Sequence, residues 1–384
     1  MLGIKILDLS RVLAGPWAVQ QLADQGADVI KVEPPGGDDT RGFGPFKNDV
    51  STYFLSCNRN KRSIVLDLKT NAGKRTLLTL IDWADVVVEN YREQACESLG
   101  LHILDLLETR PKLVWVSIRA FGTQNKTWAN RPGYDLLLQC MGGATALTGT
   151  NEMPPLKHGN SSADLTTGLM TSQAILLGLL HKERTGEGQH IVVNMLQTQA
   201  ICLTYHATRI TVTNQSPEKR GNSHAGLVPY DLYPVSDGWV AIAVGNDRMW
   251  RDLCAELSIP QRIEWATNRQ RLKHRAQIDD AIQTALASWT VEEVTERLSA
   301  RDVPAGPVLR PEETLQHPAT QHIDVEHPSL GTIMLPGVPL QTSTTRTSHR
   351  APPMLNADEE NVLDEICKSV EKKPDVLNQR PDTE

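Results

Sequence analysis

Ile4-Lys5-Ile6-Leu7-Asp8-Leu9, Ala14-Gly15-Pro16-Trp17 and Asp28-Val29-Ile30-Lys31-Val32-Glu33 are the three pieces of sequence that decide the fold. The first and third are apolar, β-prone runs. The second opens a helix, with Pro16 suited to its first position and Gly26 closing it. Strand, helix and strand at this spacing form a βαβ unit, right-handed and covering a parallel sheet. The pattern then repeats. Residues 63–68 read as strand, 71–83 as helix, and 86–89 and 113–118 as strands, while 134–139 start a further helix. A long helix follows from about Asp164 to the turn at Thr185-Gly186-Glu187-Gly188, then a strand at 190–195 and a helix at 196–208. The fold class expected is α/β: a Rossmann-like large domain with a parallel sheet.

The texture changes near Pro217. Residues 221–226 (Gly-Asn-Ser-His-Ala-Gly) read as a loop, and 230–235 with 239–244 as a hairpin about Asp237-Gly238. A large domain is expected over 1–215 and a smaller α+β domain over 225–330. Residues 331–372 are expected to return to the large domain, and 373–384, with Pro374, Asn378 and Pro381, to form a disordered tail.

At 384 residues the chain is long enough for two domains, and a 40% hydrophobic share fits a soluble globular protein. The net charge of -7 argues against nucleic acid or a membrane surface as partner. The six cysteines stand singly with no CxxC pair, so reduced, buried thiols are expected. The histidines show no HExxH or other ligand spacing, and no metal site is expected. The start of the chain lacks the features of a secretory signal, and no stretch is expected to reach the length of a membrane span. These features set a cytoplasmic location as the expectation.

Two nucleotide motifs are excluded by their missing glycines. A Rossmann turn needs GxGxxG after the first strand, whereas Ser10-Arg11-Val12-Leu13-Ala14-Gly15-Pro16 offers one glycine, although Glu33 imitates the ribose-binding acid. Gly73-Lys74 is not a P-loop, because Leu68 and Arg75 occupy the first-glycine and Ser/Thr positions.

Asp164 stands in Gly159-Asn-Ser-Ser-Ala-Asp-Leu-Thr-Thr-Gly168, in the first turn of an apolar helix. Leu165, Leu169, Leu176, Leu179 and Leu180, with Ser172 as a small member, mark one stripe expected to be buried. Two readings of Asp164 follow. Ser161-x-x-Asp164 fits a capping box, in which the carboxylate only satisfies a helix amide. Alternatively, a carboxylate kept ionised by the helix dipole and partly desolvated acts as a covalent nucleophile.

With these segments placed, the chain resembles the class III CoA-transferase family, which includes formyl-CoA, carnitine and dicarboxylate CoA-transferases and the α-methylacyl-CoA racemases. The resemblance covers nearly the whole length and rests on ordered motifs: Gly3-Ile-Lys-Ile-Leu-Asp-Leu9, Leu13-Ala-Gly-Pro16, Gly26-Ala-Asp-Val-Ile-Lys-Val-Glu33, Gly37-Asp-Asp-Thr-Arg41 and Asn58-Arg-Asn-Lys-Arg-Ser63. It continues through Val88-Glu-Asn-Tyr-Arg92, Gly133-Tyr-Asp135, Ala163-Asp-Leu-Thr-Thr-Gly168 and Arg184-Thr-Gly-Glu-Gly-Gln189.

The resemblance implies that Asp164 attacks an acyl-CoA thioester, giving aspartyl anhydride and aspartyl-CoA thioester intermediates. Coenzyme A and acyl-CoA would be substrates, with no permanently bound cofactor. It places CoA against Leu13 and Ala14, Leu66, Asp67, Leu68 and Lys69, and Asn90, Tyr91 and Arg92, with Tyr134 near the pantetheine end. Pro34 and Ser98 stand where some relatives carry CoA-binding arginines, and Arg41, Arg59 and Lys61 are expected to compensate. Residues 221–226 match a region that serves as a flap in the formyl-CoA enzyme, and the family implies an interlocked homodimer. Tyr134, where the racemases resemble Gly-His-Asp, is a poor base near neutral pH and favours transfer over racemisation. The expected activity is CoA transfer from succinyl-CoA or acetyl-CoA to a small carboxylic acid, such as the dicarboxylates glutarate or oxalate. The alternatives are an acyl-CoA racemase or epimerase and a non-catalytic CoA-binding protein.

Overall fold

The structure is a computed structural model that describes residues 1–340, 342–343 and 349–371; the expected tail at 373–384 lies outside the described residues. Up to residue 213 the chain runs β1 (Lys5–Asp8), α1 (Ala14–Ala23), β2 (Asp28–Glu33), β3 (Phe46–Lys47), β4 (Val50–Ser51), α2 (Thr52–Cys57), β5 (Lys61–Val65), α3 (Asn71–Trp83), β6 (Val86–Glu89), α4 (Glu93–Leu99), α5 (Ile103–Glu108), β7 (Val114–Arg119), α6 (Lys126–Ala129), α7 (Asp135–Met141), α8 (Ala144–Leu147), α9 (Ser162–Thr185), β8 (His190–Asn194), α10 (Met195–Cys202) and α11 (Tyr205–Thr213). The chain divides into two compact units, one of Met1–Ala144, Lys157–Thr213 and the chain from Gln321 onward, the other of Thr145–Leu156 and Asn214–Thr320. Residues 145–156 thus group with the second unit and 321–330 with the first, where the sequence placed them the other way.

In the first unit six strands form a parallel sheet in the order β5-β2-β1-β6-β7-β8. Side chains alternate between the two faces, and both faces are covered, which is why β6 and β7 read as continuous apolar runs. Leu7, Ile30, Ile64, Val87 and Trp115 pack with Leu77, Leu80 and Ile81 of α3. Ile6, Val29, Val86, Val88, Val114 and Val116 pack on the opposite face with Val19 of α1 and Ala174 and Ile175 of α9.

Several boundaries shift from those expected. Pro16 is the third residue of α1 rather than the first, still among the positions whose amide has no helical partner. β5 stops at Val65, because residues 66–69 turn away toward the cap that Thr70 makes for α3. The helix expected at 196–208 is two, interrupted at Thr204, whose φ is 46°.

The largest correction concerns α9. Its buried residues are Ala163, Asp164, Thr167, Gly168, Thr171, Ala174, Ile175 and Gly178, while Leu169, Leu176, Leu177 and Leu180 are exposed. The small side chains face inward because backbones approach closely there. A Cβ at Gly168 would sit 2.7 Å from the Trp17 ring and 3.0 Å from the Ala14 carbonyl oxygen. With 24 residues and few charges, α9 does have the length and composition of a membrane span, contrary to the sequence reading; 44% of its most apolar window is buried in the protein.

In the second unit, β9 (Tyr230–Val235) and β10 (Gly238–Ala243) form a hairpin, and after α12 (Asp247–Glu256), α13 (Asn268–Arg271), α14 (Arg275–Leu286) and α15 (Val291–Ser299) the short β11 (Ala305–Pro307) completes the sheet beside β10. Trp250, Leu253, Ile278, Ile282 and Leu298 fill its core. The loop at 221–226 is tied to this unit: Arg275 Nη2 donates to the carbonyls of His224 and Leu227, and Asn268 donates to that of Gly226.

After α16 (Pro311–Gln316), the hairpin β12 (His322–His327) and β13 (Gly331–Pro336) and helix α17 (Glu359–Glu371) belong to the first unit. The edge of β5 is occupied there, with Asp358 and Asn356 accepting from the amides of Ser63 and Val65. That pairing covers an edge strand that would otherwise be free to pair with another chain.

Replacing Gly168 by Ala is expected to lower stability by about 1–3 kcal/mol, because a clash with the Trp17 ring and a backbone carbonyl outweighs the gain in helix propensity of about 1 kcal/mol. Chemical denaturation of the two proteins measures this, and a stabilised variant would refute the packing described.

Candidate active site

The strand order reverses between β1 and β6: the chain first builds outward from β1 through β2 to β5, then returns to β1's other side. A crevice opens at the carboxyl ends of strands at such a point. Here it is a cavity of about 410 Å³ whose lining includes Arg11, Leu13, Ala14, Asn90, Tyr91, Arg92, Arg119, Arg131, Tyr134 and Asp164.

The loop after β1 forms one wall. Val12 adopts a φ of 68°, a strained conformation for a β-branched residue, of order 1–3 kcal/mol. Asn90 holds it there, accepting from the Arg11 amide at 2.9 Å and donating to the Arg11 carbonyl at 2.8 Å. The Asn90 side chain, expected to touch CoA, is therefore engaged with backbone. Leu13, the N-cap of α1, and Ala14, its first residue, line the cavity, and the helix start has no side-chain cap.

Asp164 lies at the third position of α9 and is 8% exposed. The capping-box reading fails: Ser161 makes no side-chain cap. The amides of Ala163 and Asp164 donate instead to Asp135 Oδ1 on α7, at 2.9 and 3.3 Å. Burial, then the nearby Asp135 carboxylate, raises Asp164 from the usual aspartate range to about 7. The helix dipole was expected to keep it ionised; desolvation and a like charge outweigh that effect. Tyr53 on α2, which no sequence signal marked, faces Asp164 and Asp135 and hydrogen-bonds Ser161; burial and these carboxylates push its phenol to about 12.

Of the other residues singled out, Tyr134 is 64% exposed at the start of α7 and lines the cavity. Leu66, Asp67, Leu68 and Lys69 do not line the cavity. They follow β5, two strands from β1 and so about 10 Å along the sheet edge. The three expected compensating cations are unavailable. Lys61 is buried against Asp8 at 2.9 Å, Arg59 against Asp24 at 2.6 Å, and Arg41 pairs with Glu33 at 2.7 Å. Arg11 and Arg131, missed from sequence although they flank quoted motifs, line the cavity instead. Arg11 pairs with Asp39 at 2.5 Å, and Arg131 stacks 3.9 Å from the Trp128 ring centroid. Arg119 is held by Glu89 at 2.8 Å.

The cysteines are all free, but Cys140, Cys202 and Cys367 are exposed rather than buried. Among the described residues no group of three His, Cys, Asp or Glu side chains is placed to hold a metal.

A parallel sheet with a polar crevice at its switch point, and a desolvated aspartate at a helix start within it, define an α/β enzyme suited to acyl chemistry. The chain belongs to CoA-transferase family III, whose model matches residues 1–359. It is 38% identical over 382 residues to the succinate–glutarate CoA-transferase of Agrobacterium fabrum, covering 95% of both chains. It is 35% identical to the succinyl-CoA:glutarate CoA-transferase of Mus musculus, over 95% of this chain and 86% of that one. A CaiB/BaiF family protein from Brucella suis superposes with a TM-score of 0.84 at 34% identity, covering 95% of this chain and 98% of that one. The enzyme is a CoA-transferase, acting on CoA thioesters.

A carboxylate with a raised folded pKa is stabilised by its proton. The cost of ionising Asp164 is absent below about pH 4, grows toward pH 7, and is fully present above it, at about 4 kcal/mol for a shift of roughly three units. Asp164→Asn is therefore expected to stabilise the protein at pH 8 by up to a few kcal/mol and little at pH 4. Denaturant midpoints at the two pH values check this, and an equal gap at both would contradict the site described.

Proposed function

We propose that the protein transfers CoA from succinyl-CoA or acetyl-CoA to a small dicarboxylate, such as glutarate or oxalate, with Asp164 as nucleophile. The observation that carries the reading is the Asp164 carboxylate, buried on the cavity wall with no hydrogen-bond donor among the described residues. Once ionised there it is a desolvated oxygen nucleophile. The names of the glutarate-using relatives support the acceptor class.

The Asp164 oxygen attacks the thioester carbonyl, the C–S bond breaks, and CoA leaves as thiolate. The acyl-aspartyl anhydride is then attacked by that thiolate at the aspartyl carbonyl, releasing the donor acid and leaving aspartyl-CoA. The acceptor carboxylate attacks this thioester and expels thiolate, which closes the cycle by attacking the acceptor's carbonyl. Asp164 returns as a carboxylate, and no phosphoanhydride bond is consumed.

Leu13, Ala14, Asn90, Tyr91, Arg92 and Tyr134 would receive CoA, with the free amides at the start of α1 available to a phosphate. Leu66, Asp67, Leu68 and Lys69, further along the sheet edge, would meet the distal end of so long a ligand. A second copy of the chain is the occupant proposed for the exposed face of α9. Leu169, Leu176, Leu177 and Leu180 lie open there, with Ile201 beside the last three, a contiguous apolar face of the kind that marks an interaction site.

Incubation with succinyl-CoA and a panel of carboxylates, followed by mass spectrometry of CoA esters, is expected to show a dicarboxylate acceptor. Asp164→Ala is expected to lower kcat by at least about a thousandfold, and hydroxylamine to trap residue 164 in the native enzyme only. Unchanged turnover in the variant would overturn the mechanism. Light scattering is expected to give twice the 42.5 kDa chain mass, and a monomer would refute the proposed use of the α9 face.

A further inference from the structure

The start of α9 is held by a side chain from another helix. Asp135, the first residue of α7, uses Oδ1 to accept from the amides of Ala163 and Asp164, while its Oδ2 accepts from Gln139 Nε2 at 2.7 Å. Gln139 is fully buried, and its Oε1 accepts from the His158 amide at 2.7 Å. Both oxygens of Asp135 are therefore directed, and the connection running from residue 158 into α9 is clamped to α7.

This device has an unusual charge arrangement. Helix starts are commonly capped by a carboxylate, but here the residue whose amide is capped is itself an aspartate. Among the described residues the groups facing Asp164 are few: Asp135 from α7 and the neutral phenol of Tyr53 from α2, with no lysine. Arg11 and Arg119 line the same cavity and are already paired with Asp39 and Glu89. From α1, the Trp17 ring and the Ala14 carbonyl lie against Gly168, one turn further along α9, and both are uncharged. From α10, Gln199 Nε2 donates to the Thr166 hydroxyl, which is uncharged.

We propose that Asp135 is a positioning residue for the transfer reaction: from α7, its Oδ1 fixes the first turn of α9 and with it the placement of the Asp164 side chain. This rests on Asp164 being the nucleophile. Asp135 acts on Asp164 in opposite ways, holding its backbone while disfavouring its ionised side chain. A neutral isostere removes the charge and keeps the acceptor for α9: the asparagine oxygen can still accept from both amides, while the bond from Gln139 Nε2, which needs an acceptor at the second position, is lost.

The test compares kcat/KM against pH from 5 to 9 for the native enzyme, Asp135→Asn and Asp135→Ala, with succinyl-CoA and the acceptor found above. The native acidic limb is expected near pH 7, set by burial first and Asp135 second. In Asp135→Asn the limb is expected to move down by about one pH unit, so activity at pH 6 is a larger fraction of the plateau. Asp135→Ala, which loses the acceptor too, is expected to drop in plateau kcat at least tenfold and to melt earlier. An unmoved limb in Asp135→Asn overturns the electrostatic role, and a fully active Asp135→Ala overturns the positioning role.

A second measurement needs no activity. The pH-dependent stability difference between Asp164 and Asp164→Asn is expected to shrink when both are placed in the Asp135→Asn background, and an undiminished difference would refute the coupling. If Asp164→Ala turns over normally, the nucleophile reading itself fails. If it is inactive while Asp135→Ala is fully active, this inference fails alone.

Discussion

The close approach of α9 to α1 is the constraint on which the site depends. Both helices begin at the carboxyl edge of the sheet, and Gly168 lets α9 pack against Trp17 and the Ala14 carbonyl. Asp164 lies one turn before that contact, so its position is fixed by a packing interface rather than by a loop. The inward face of α9 is made of small residues, which brings the helix axis close to α1 and β7. Because packed interiors yield little, the carboxylate inherits the rigidity of that interface. The same choice leaves Leu169, Leu176, Leu177 and Leu180 on the outer face, so one packing decision places both the Asp164 carboxylate and the apolar surface.

A second set of interactions fixes the opposite rim. Lys31 donates to the Ser10 carbonyl and pairs with Asp38, while Lys61 pairs with Asp8 and donates to the Pro16 carbonyl and to Asn58. All four charged groups are almost wholly buried. Buried pairs of this kind contribute little net stability, since desolvation offsets most of the attraction. Removing one partner would strand a charge, so the geometry is enforced by the cost of breaking it. The groups they tie down are the loop after β1 and the start of α1, which are cavity walls. Burial and its lysine partner act in opposite directions on Asp38, and the pairing prevails, holding it down at about 2.

The βαβ order was legible because each strand is a short apolar run and each crossover helix carries a cap or a turn residue; α3 and β6 fall where the pattern placed them. The face of α9 was not legible. Leucine spacing signals an apolar stripe but not its partner, and the small residues that pack inward leave no strong periodic signal. For the site, Asp164 and its neighbours in the Ser10–Pro16, Val88–Arg92 and Gly133–Asp135 motifs were visible as chemistry-bearing residues. What each does was less so. Lys61, Arg59 and Arg41 look like phosphate ligands in sequence because their carboxylate partners lie 53, 35 and 8 positions away, a pairing only the fold brings together. Tyr53 was invisible for the same reason: its relevance comes entirely from where α2 is placed.

An aspartate in water is fully ionised near pH 7 but is a weak nucleophile, because its charge is well solvated. Moving it to a site with no hydrogen-bond donor among the described residues makes the anion more reactive, at the expense of the fraction ionised. With Asp164 raised to about 7, close to half of the molecules carry the anion at neutral pH, a loss in population of about twofold. A gain in nucleophilicity beyond that factor makes the exchange favourable. The same reasoning bounds the shift: a further unit would leave only about a tenth of the molecules ionised at pH 7, roughly a further fivefold loss of the anion.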